Sequence, residues 1–308
     1  MSIVYGPLAA VQDPVGGGAP TSVKAYWRTD ASVSANSAYV GETPSGPWQF
    51  TGSDSANSTR HEVLITGLTG NRTYYMYVQS SGSNSGVISF QTAPNLLANG
   101  SFETWHSVSG QAWGTQEPDN WHGWEISPWD PASYGHPNPI TIQEDRNTGV
   151  PTPAVKDGAH RASMDEGWRS CYGGIYQEVT GLAPGTYSVG GWASWQFSVT
   201  YLDRHRIEFL ARDGAHIPGV APTGTAILSQ NGSVSEPNWK YVQGQVACTT
   251  GTLTIYASLR SDDWDGTAFM HFDGFRVSSL ALPAIVFSNF LANRTISGGA
   301  YDVTLSYD

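Results

Sequence analysis

Apolar and polar residues alternate in short runs along residues 1–94, with no run that repeats at a helical period. "SVKAYWRT", "SAYVG", "HEVLITGL", "TYYMYVQS" and "GVISFQT" are separated by Gly, Ser, Asn and Pro, which predicts short strands in a β-sandwich. From Asn95 the pattern changes. In "TYSVGGWASWQFS", Tyr187, Val189, Gly191 and Ala193 share one face, whereas Ser188, Gly190, Trp192, Ser194 and Gln196 share the other. "RIEFLA" sends Ile207, Phe209 and Ala211 inward and Arg206 and Glu208 outward. "TLTIYASLR" sends Leu253, Ile255, Ala257 and Leu259 inward, with Tyr256, Ser258 and Arg260 outward. "GLAPGTYSV" reads as strand–turn–strand about Pro184 and Gly185.

These outward residues define a candidate carbohydrate site. If the three strands are neighbours, Trp192, Gln196, Arg206, Glu208, Tyr256 and Arg260 share one surface. A sugar asks for that mixture, an aromatic plane for its apolar face and planar polar groups for its hydroxyls. The alternative is an ordinary solvated sheet face with isolated exposed aromatics. A second group of indoles, Trp105, Trp113, Trp121, Trp124 and Trp129, falls in a stretch with no strand period, residues 105–153. Indoles in so long an irregular segment are expected to form its own small core.

Two resemblances follow from particular motifs. "ITGLTGNRTYY" sets a Leu, a turn and Thr-x-Tyr in succession, which places a tyrosine at a sandwich corner, and Thr73, Tyr75 and Tyr77 fill a Thr-x-Tyr-x-Tyr pattern. With "YGPLAAV" ahead of them, residues 1–94 resemble a fibronectin type III domain of the kind found before purple acid phosphatases. The phosphatase and its Asp/His/Asn clusters are absent, so the resemblance implies a spacer. "NLLANGSFE" and "MHFDGFRV" bracket a segment, residues 95–280, that resembles galactose-binding-like, jelly-roll carbohydrate-binding modules. That resemblance implies first and last strands lying side by side. It also implies a structural Ca²⁺ with Glu103 and Asp273 as side-chain ligands, hard oxygen donors suited to the ion. The alternative for this pair is hydrogen bonding to neighbouring loops.

Composition narrows the function. Net charge is −11 and Lys occurs only at 24, 156 and 240, so there is no cationic stripe for nucleic acid. No apolar run reaches bilayer length, which argues against membrane insertion. "MSIVYGPLAAVQD" has neither the basic segment nor the apolar stretch of a signal peptide, so the expectation is a removed leader or export by another route. Cys171 and Cys248 are too few for a disulfide scaffold; they read as two buried thiols, with a bridge as the alternative. The acidic pairs Asp165/Glu166 and Asp262/Asp263/Asp265 are adjacent in sequence and do not face each other across a cleft as a glycosidase requires. The eight histidines have no chelating spacing, and no nucleophile elbow or phosphate loop occurs.

The expectation is an all-β, non-catalytic protein with a fibronectin type III-like sandwich (1–94), a jelly-roll sandwich (95–280) and a C-terminal β arm (281–308). The arm is inferred from "AYDVTLSYD", in which Tyr301, Val303, Leu305 and Tyr307 share one face that must be buried, on a neighbouring subunit's sheet edge or, as the alternative, back on its own jelly roll. Expected partners are a polysaccharide or cell-surface glycan and, through the arm, other virion or surface subunits. The expected location is extracellular or on a virion surface. Competing expectations are a purely structural decoration or fibre subunit, and an accessory module of a polysaccharide-degrading enzyme.

Overall fold

A computed structural model of the chain describes residues 2–12, 20–111, 114–126, 140–144, 153–167, 171–199, 205–231, 235–261 and 266–280. Among these, every regular element is a strand, and none is a helix long and apolar enough to cross a membrane. Trp113, Trp129, the Asp262/Asp263/Asp265 group and the predicted arm 281–308 lie outside the described residues.

The first module contains β1 (Ile3–Gln12), β2 (Ser22–Val33), β3 (Asn36–Gly41), β4 (Phe50–Asp54), β5 (Ser58–Thr66), β6 (Thr73–Ser80), β7 (Ser83–Asn84) and β8 (Ile88–Gln91). One sheet runs β1-β2-β5; the other runs β4-β3-β6-β7, with β8 on β6. The alternation seen in the sequence drives their packing. Val23, Ala25 and Trp27 of β2 meet Ala38 and Val40 of β3 and Tyr74, Met76 and Val78 of β6 in one core. The buried Trp27 indole N–H donates to Ser80 Oγ (2.8 Å), so the core holds no orphaned indole there. The corner tyrosine is Tyr74, whose hydroxyl accepts from the Thr69 amide at 2.8 Å. Thr-x-Tyr had pointed to Tyr75, but Thr73, Tyr75 and Tyr77 are half-buried on the outer face, one pleat out of phase with the core.

The second module contains β9 (Trp105–Gln111), β10 (Gly114–Pro118), β11 (His122–Ile126), β12 (Ile140–Glu144), β13 (Ala162–Gly167), β14 (Cys171–Thr180), β15 (Gly185–Val199), β16 (His205–Asp213), β17 (Thr225–Asn231), β18 (Glu236–Cys248), β19 (Thr252–Ser261) and β20 (Gly266–Ser279). A front sheet runs β11-β14-β19-β16-β17 and a back sheet β12-β13-β20-β15-β18, while β9 and β10 form a hairpin. The expected inward residues of β15, β16 and β19 do line the core between them, with Tyr187, Val189, Phe209, Ile255 and Leu259 among its members. Trp121 also belongs to this main core, within 5.9 Å of Phe275 ring to ring, and so is no part of a separate loop core.

The opening and closing motifs are joined by hydrogen bonds. Leu96 N donates to Val277 O (2.8 Å), Phe275 N to Gly100 O (2.7 Å) and Asn95 Nδ2 to Phe275 O (2.8 Å). Opposite β15, β20 takes an extra residue between Asp273 and Arg276, a bulge with Gly274 at φ +56°. That bulge lets Phe272 and Phe275, three apart, both enter the core. Cys248 is a buried free thiol near the Gly185 end of β15, whereas Cys171 pairs with Ser261 at the opposite end of the ten-residue β14. A bridge between the two cysteines is therefore excluded by a separation of roughly a strand length.

The first module packs on the back sheet. Ala10 and Tyr26 meet Trp192, Trp239 and Tyr241, with Tyr5 and Leu8 at the margin. Tyr26 stands edge-on to Trp192 (5.4 Å), and Lys156 Nζ lies 4.3 Å from the Trp192 ring centre. Glu236 receives Arg28 (2.6 Å) and Arg60 from the first module, and Lys156 donates to Glu62. Tyr5 Oη donates to Tyr241 O at 2.9 Å, while Lys240 sits 4.5 Å over the Tyr5 ring. Two of the three lysines in the chain thus serve the contact between the modules.

Candidate functional site

Trp192 is 2% exposed and lies under Tyr26 of the first module. Its expected role as an open stacking platform is therefore corrected: the outer face of β15 is the seat of the other module. Gln196 shares that back sheet, and its Oε1 is buried without a hydrogen-bond partner. The expected adjacency of β15 with β16 and β19 also fails, because β15 pairs with β18 and β20 in a different sheet. The structure separates Trp192 and Gln196 from the other four residues and brings Arg206, Glu208, Tyr256 and Arg260 together on the front sheet.

There β16 and β19 are direct neighbours, with Arg206 opposite Arg260 and Glu208 opposite Ser258. β14 lies on the other side of β19 and sets Tyr172 opposite Arg260 and Tyr176 opposite Tyr256. β11 then adds Trp124 opposite Gly174 and Ile126 opposite Tyr172. On this outer face the β14 row reads Tyr172, Gly174, Tyr176, Glu178, and β14 approaches β19 so closely that a Cβ at Gly174 would stand 2.0 Å from Ala257 O. The backbone at 174 must therefore be glycine, which leaves a step between the two tyrosines.

An aromatic bed results. Trp124 is edge-on to Tyr172 (5.1 Å) and Tyr256 (6.0 Å), and Tyr176 stacks on His216 at 4.1 Å. His216 comes from the segment after β16; its amide donates to Glu178 Oε1 (2.6 Å) and its Nδ1 lies 3.2 Å from Tyr256 Oη. Tyr256 is fully buried at the base, so it supports the bed from below, while Tyr172, Tyr176 and His216 are half-buried. The buried Trp124 Nε1 has no hydrogen-bond partner. The rim is charged. Tyr172 Oη donates to Glu208 Oε2 (2.8 Å), Arg206 Nη1 lies 3.8 Å from Glu208 Oε1, and Arg260 lies 5.8 Å over the Tyr172 ring.

Burial, with the Glu208 charge beside it, raises the Tyr172 hydroxyl above the ordinary tyrosine range. Burial also raises Tyr176 and Tyr256 and lowers His216, so at neutral pH the phenols stay protonated and the imidazole neutral. The surface offers apolar rings and a carboxylate–guanidinium rim, a combination that complements a polyhydroxylated ring. Sequence reasoning missed Trp124, Tyr172, Tyr176 and His216. The two-residue rhythm of "CYGGIYQEV" carried the signal for the tyrosines; His216 sits in an irregular segment with none.

Glu103 and Asp273, the pair expected to hold calcium, both receive backbone amides from one segment. Glu103 accepts from Ala159 (3.0 Å) and His160 (3.1 Å), and Asp273 Oδ2 accepts from Lys156 (2.7 Å) and Asp157 (2.9 Å). Asp273 Oδ1 is buried without a partner, and burial lifts the carboxyl from 3.8 to about 7. Three of the four oxygens thus accept backbone N–H donors, and the fourth, Asp273 Oδ1, is left open. No group of three or more His, Cys, Asp or Glu side chains placed for a metal occurs among the described residues.

No protein-family model and no curated protein matches the chain. Among solved structures it is similar to TmCBM61 in complex with beta-1,4-galactotriose, at 16% identity over 60% of this chain and 98% of that one, TM-score 0.34. It is similar to carbohydrate-binding modules from the β-sandwich superfamily at 9% identity, over 90% of this chain and 98% of that one, TM-score 0.35. A third similarity is to the enzymatically active domain of tailspike protein 4 of bacteriophage CBA120, at 13% identity over 60% of this chain and 21% of that one, TM-score 0.36. At these identities and scores the likenesses identify neither a family nor a ligand for this chain.

Proposed function

We propose that this chain is a non-catalytic glycan-binding protein whose jelly-roll module takes a polysaccharide on the outer face of its front sheet. The observation that supports the reading is the aromatic bed of Trp124, Tyr172, Tyr176 and His216, bordered by Glu208, Arg206 and Arg260, on the face opposite the packed module. Tyr172 and Tyr176 supply the apolar planes, and the rim groups supply donors and acceptors for sugar hydroxyls. The fibronectin-like module, seated on the back sheet, acts as a fixed spacer. Display is extracellular or on a virion surface, with residues 281–308 as the arm that attaches to neighbouring subunits. Sugar binding on this face requires no Ca²⁺ at Glu103 and Asp273.

Native affinity electrophoresis of the full chain in gels containing soluble β-galactan, xylan or mixed-linkage glucan tests the reading. Tyr172→Ala and Tyr176→Ala are each expected to weaken retention about two- to tenfold, the effect of losing one stacking ring, in protein that remains folded by circular dichroism. Wild-type protein that runs unretarded in every gel would instead favour a purely structural decoration subunit.

A further inference from the structure

The first module carries an aromatic surface that the site above does not use. Outward on β3 and β6, Tyr39 and Tyr77 are cross-strand partners whose rings stack at 4.7 Å and 9°, and Trp48 stands edge-on to Tyr77 at 4.8 Å. Trp48 follows a turn closed by Gly46 N to Thr43 O (3.2 Å) and by the Thr43 hydroxyl on Gly46 O. All three rings are half-buried and none belongs to the module's core.

Two residues further along the same strands the character changes. Ser37 is opposite both Gln79 and Ser53, and a hollow of about 250 Å³ opens there, lined by Ser34, Asn36, Ser37, Ser53, Asp54 and Gln79. Two residues along a strand span about 7 Å, so the aromatic step and the hollow are directly adjacent. The hydroxyls of Ser34, Ser37 and Ser53 have no hydrogen-bond partner among the described residues. Asp54, the one charged group of the hollow, is engaged by the Ala56 amide (2.8 Å) and faces His61 Nδ1 (3.3 Å). At the other end Arg72 and Glu42 pair with each other at 3.1 Å. Among the described residues no free cation lines this face for a phosphate or carboxylate, and the face is too polar beside its rings for an apolar helix. The amides of Asn36 and Gln79 are already engaged, by Val33 O and Ser80 Oγ and by Asn84 Oδ1, so the serine hydroxyls next to the stacked rings are what complement a neutral polyol.

We propose that this face is a second carbohydrate site, taking a neutral oligosaccharide with one ring against the Tyr39/Tyr77/Trp48 cluster and the next over the serine-lined hollow. It does not rest on the front-sheet site, and one experiment separates the two. The full chain is run in the same polysaccharide gels in a Tyr172→Ala/Tyr176→Ala background, with light scattering to follow its mass. Residual retention is expected there, and both Tyr77→Ala and Ser53→Glu should reduce it about tenfold. Ser53→Glu leaves the rings in place and changes an exposed side chain, so it remains informative if Tyr77→Ala perturbs the fold. Absence of residual retention, or retention untouched by both changes, overturns the proposal. So does a change in mass without a change in retention, which would make the face a contact between copies. Retention that survives Tyr172→Ala/Tyr176→Ala undiminished and falls with Tyr77→Ala would sink the front-sheet reading and leave this one standing.

Discussion

Trp192 shows how one indole reads differently once its neighbours are known. Its strand face is polar apart from the ring itself, which in sequence looks like a platform awaiting a sugar; in the fold that ring is roofed by Tyr26 and Lys156 and flanked by Tyr241 (5.0 Å). Replacing it with Ala should therefore cost stability rather than affinity. A buried Trp→Ala change costs about 3–5 kcal/mol, which calorimetry should register as a lowered melting temperature. Retention of the folded variant by polysaccharide gels should match wild type. A variant that melts like wild type yet loses retention would return Trp192 to the binding face.

Among the elements, β20 carries two buried titrating groups of opposite tendency. Burial lowers His271 to about 4, with the Arg161 charge adding to the effect, and lifts Asp273 to about 7. Between about pH 4 and 6.5 the native His271 binds fewer protons than the unfolded chain, so its contribution to stability rises with pH and is lost on acidification. Asp273 binds more protons in the native state from about pH 4 to 7, so its contribution falls as pH rises. The two slopes oppose each other over most of the acid range. Asp273→Asn keeps an acceptor for the Lys156 and Asp157 amides and removes one slope. Its melting temperature minus that of wild type should climb between pH 5 and 8, by an amount equivalent to at most about 3 kcal/mol. A difference that stays level with pH would show that Asp273 is ionised in the native protein at pH 5.

For the molecule as a whole, the contact between modules joins an aromatic cluster to a bridged carboxylate. Glu236 is shared by Arg28 and Arg60, with side chains 20% and 35% exposed, so part of their charge remains screened by water. Glu236→Gln leaves both guanidinium groups without their counter-charge and should weaken the seat by on the order of 2 kcal/mol, less than a fully buried pair would lose. The expected readout is a melting profile that splits into two transitions, with faster proteolysis between residues 91 and 96. A single unchanged transition would assign the rigidity of the seat to the Tyr26/Trp192/Tyr241 cluster alone.

The chain's own alternation determined which side of each strand faces a core, because the pleat has a period of two and one face must be dry: Ile207, Phe209, Ile255 and Leu259 all enter the core as their spacing requires. Motifs at the two ends of the second module likewise foretold their pairing, since Asn95 and Gly100 must satisfy the backbone of Phe275. Strand order lies beyond that rhythm. An outward residue has the same spacing whether it meets solvent, a ligand or another module, and sheet partners are chosen by packing between segments far apart in the chain, such as Trp195 with Glu236 and Tyr187 with Ser279. That choice alone placed β15 with β18 and β20, buried Trp192 under the first module, and brought Tyr172 and Tyr176 beside Trp124, a residue 48 positions before Tyr172 and across a segment with no strand period. It also decided that the carboxylates of Glu103 and Asp273 meet backbone amides, because only the folded chain brings residues 156–160 against both.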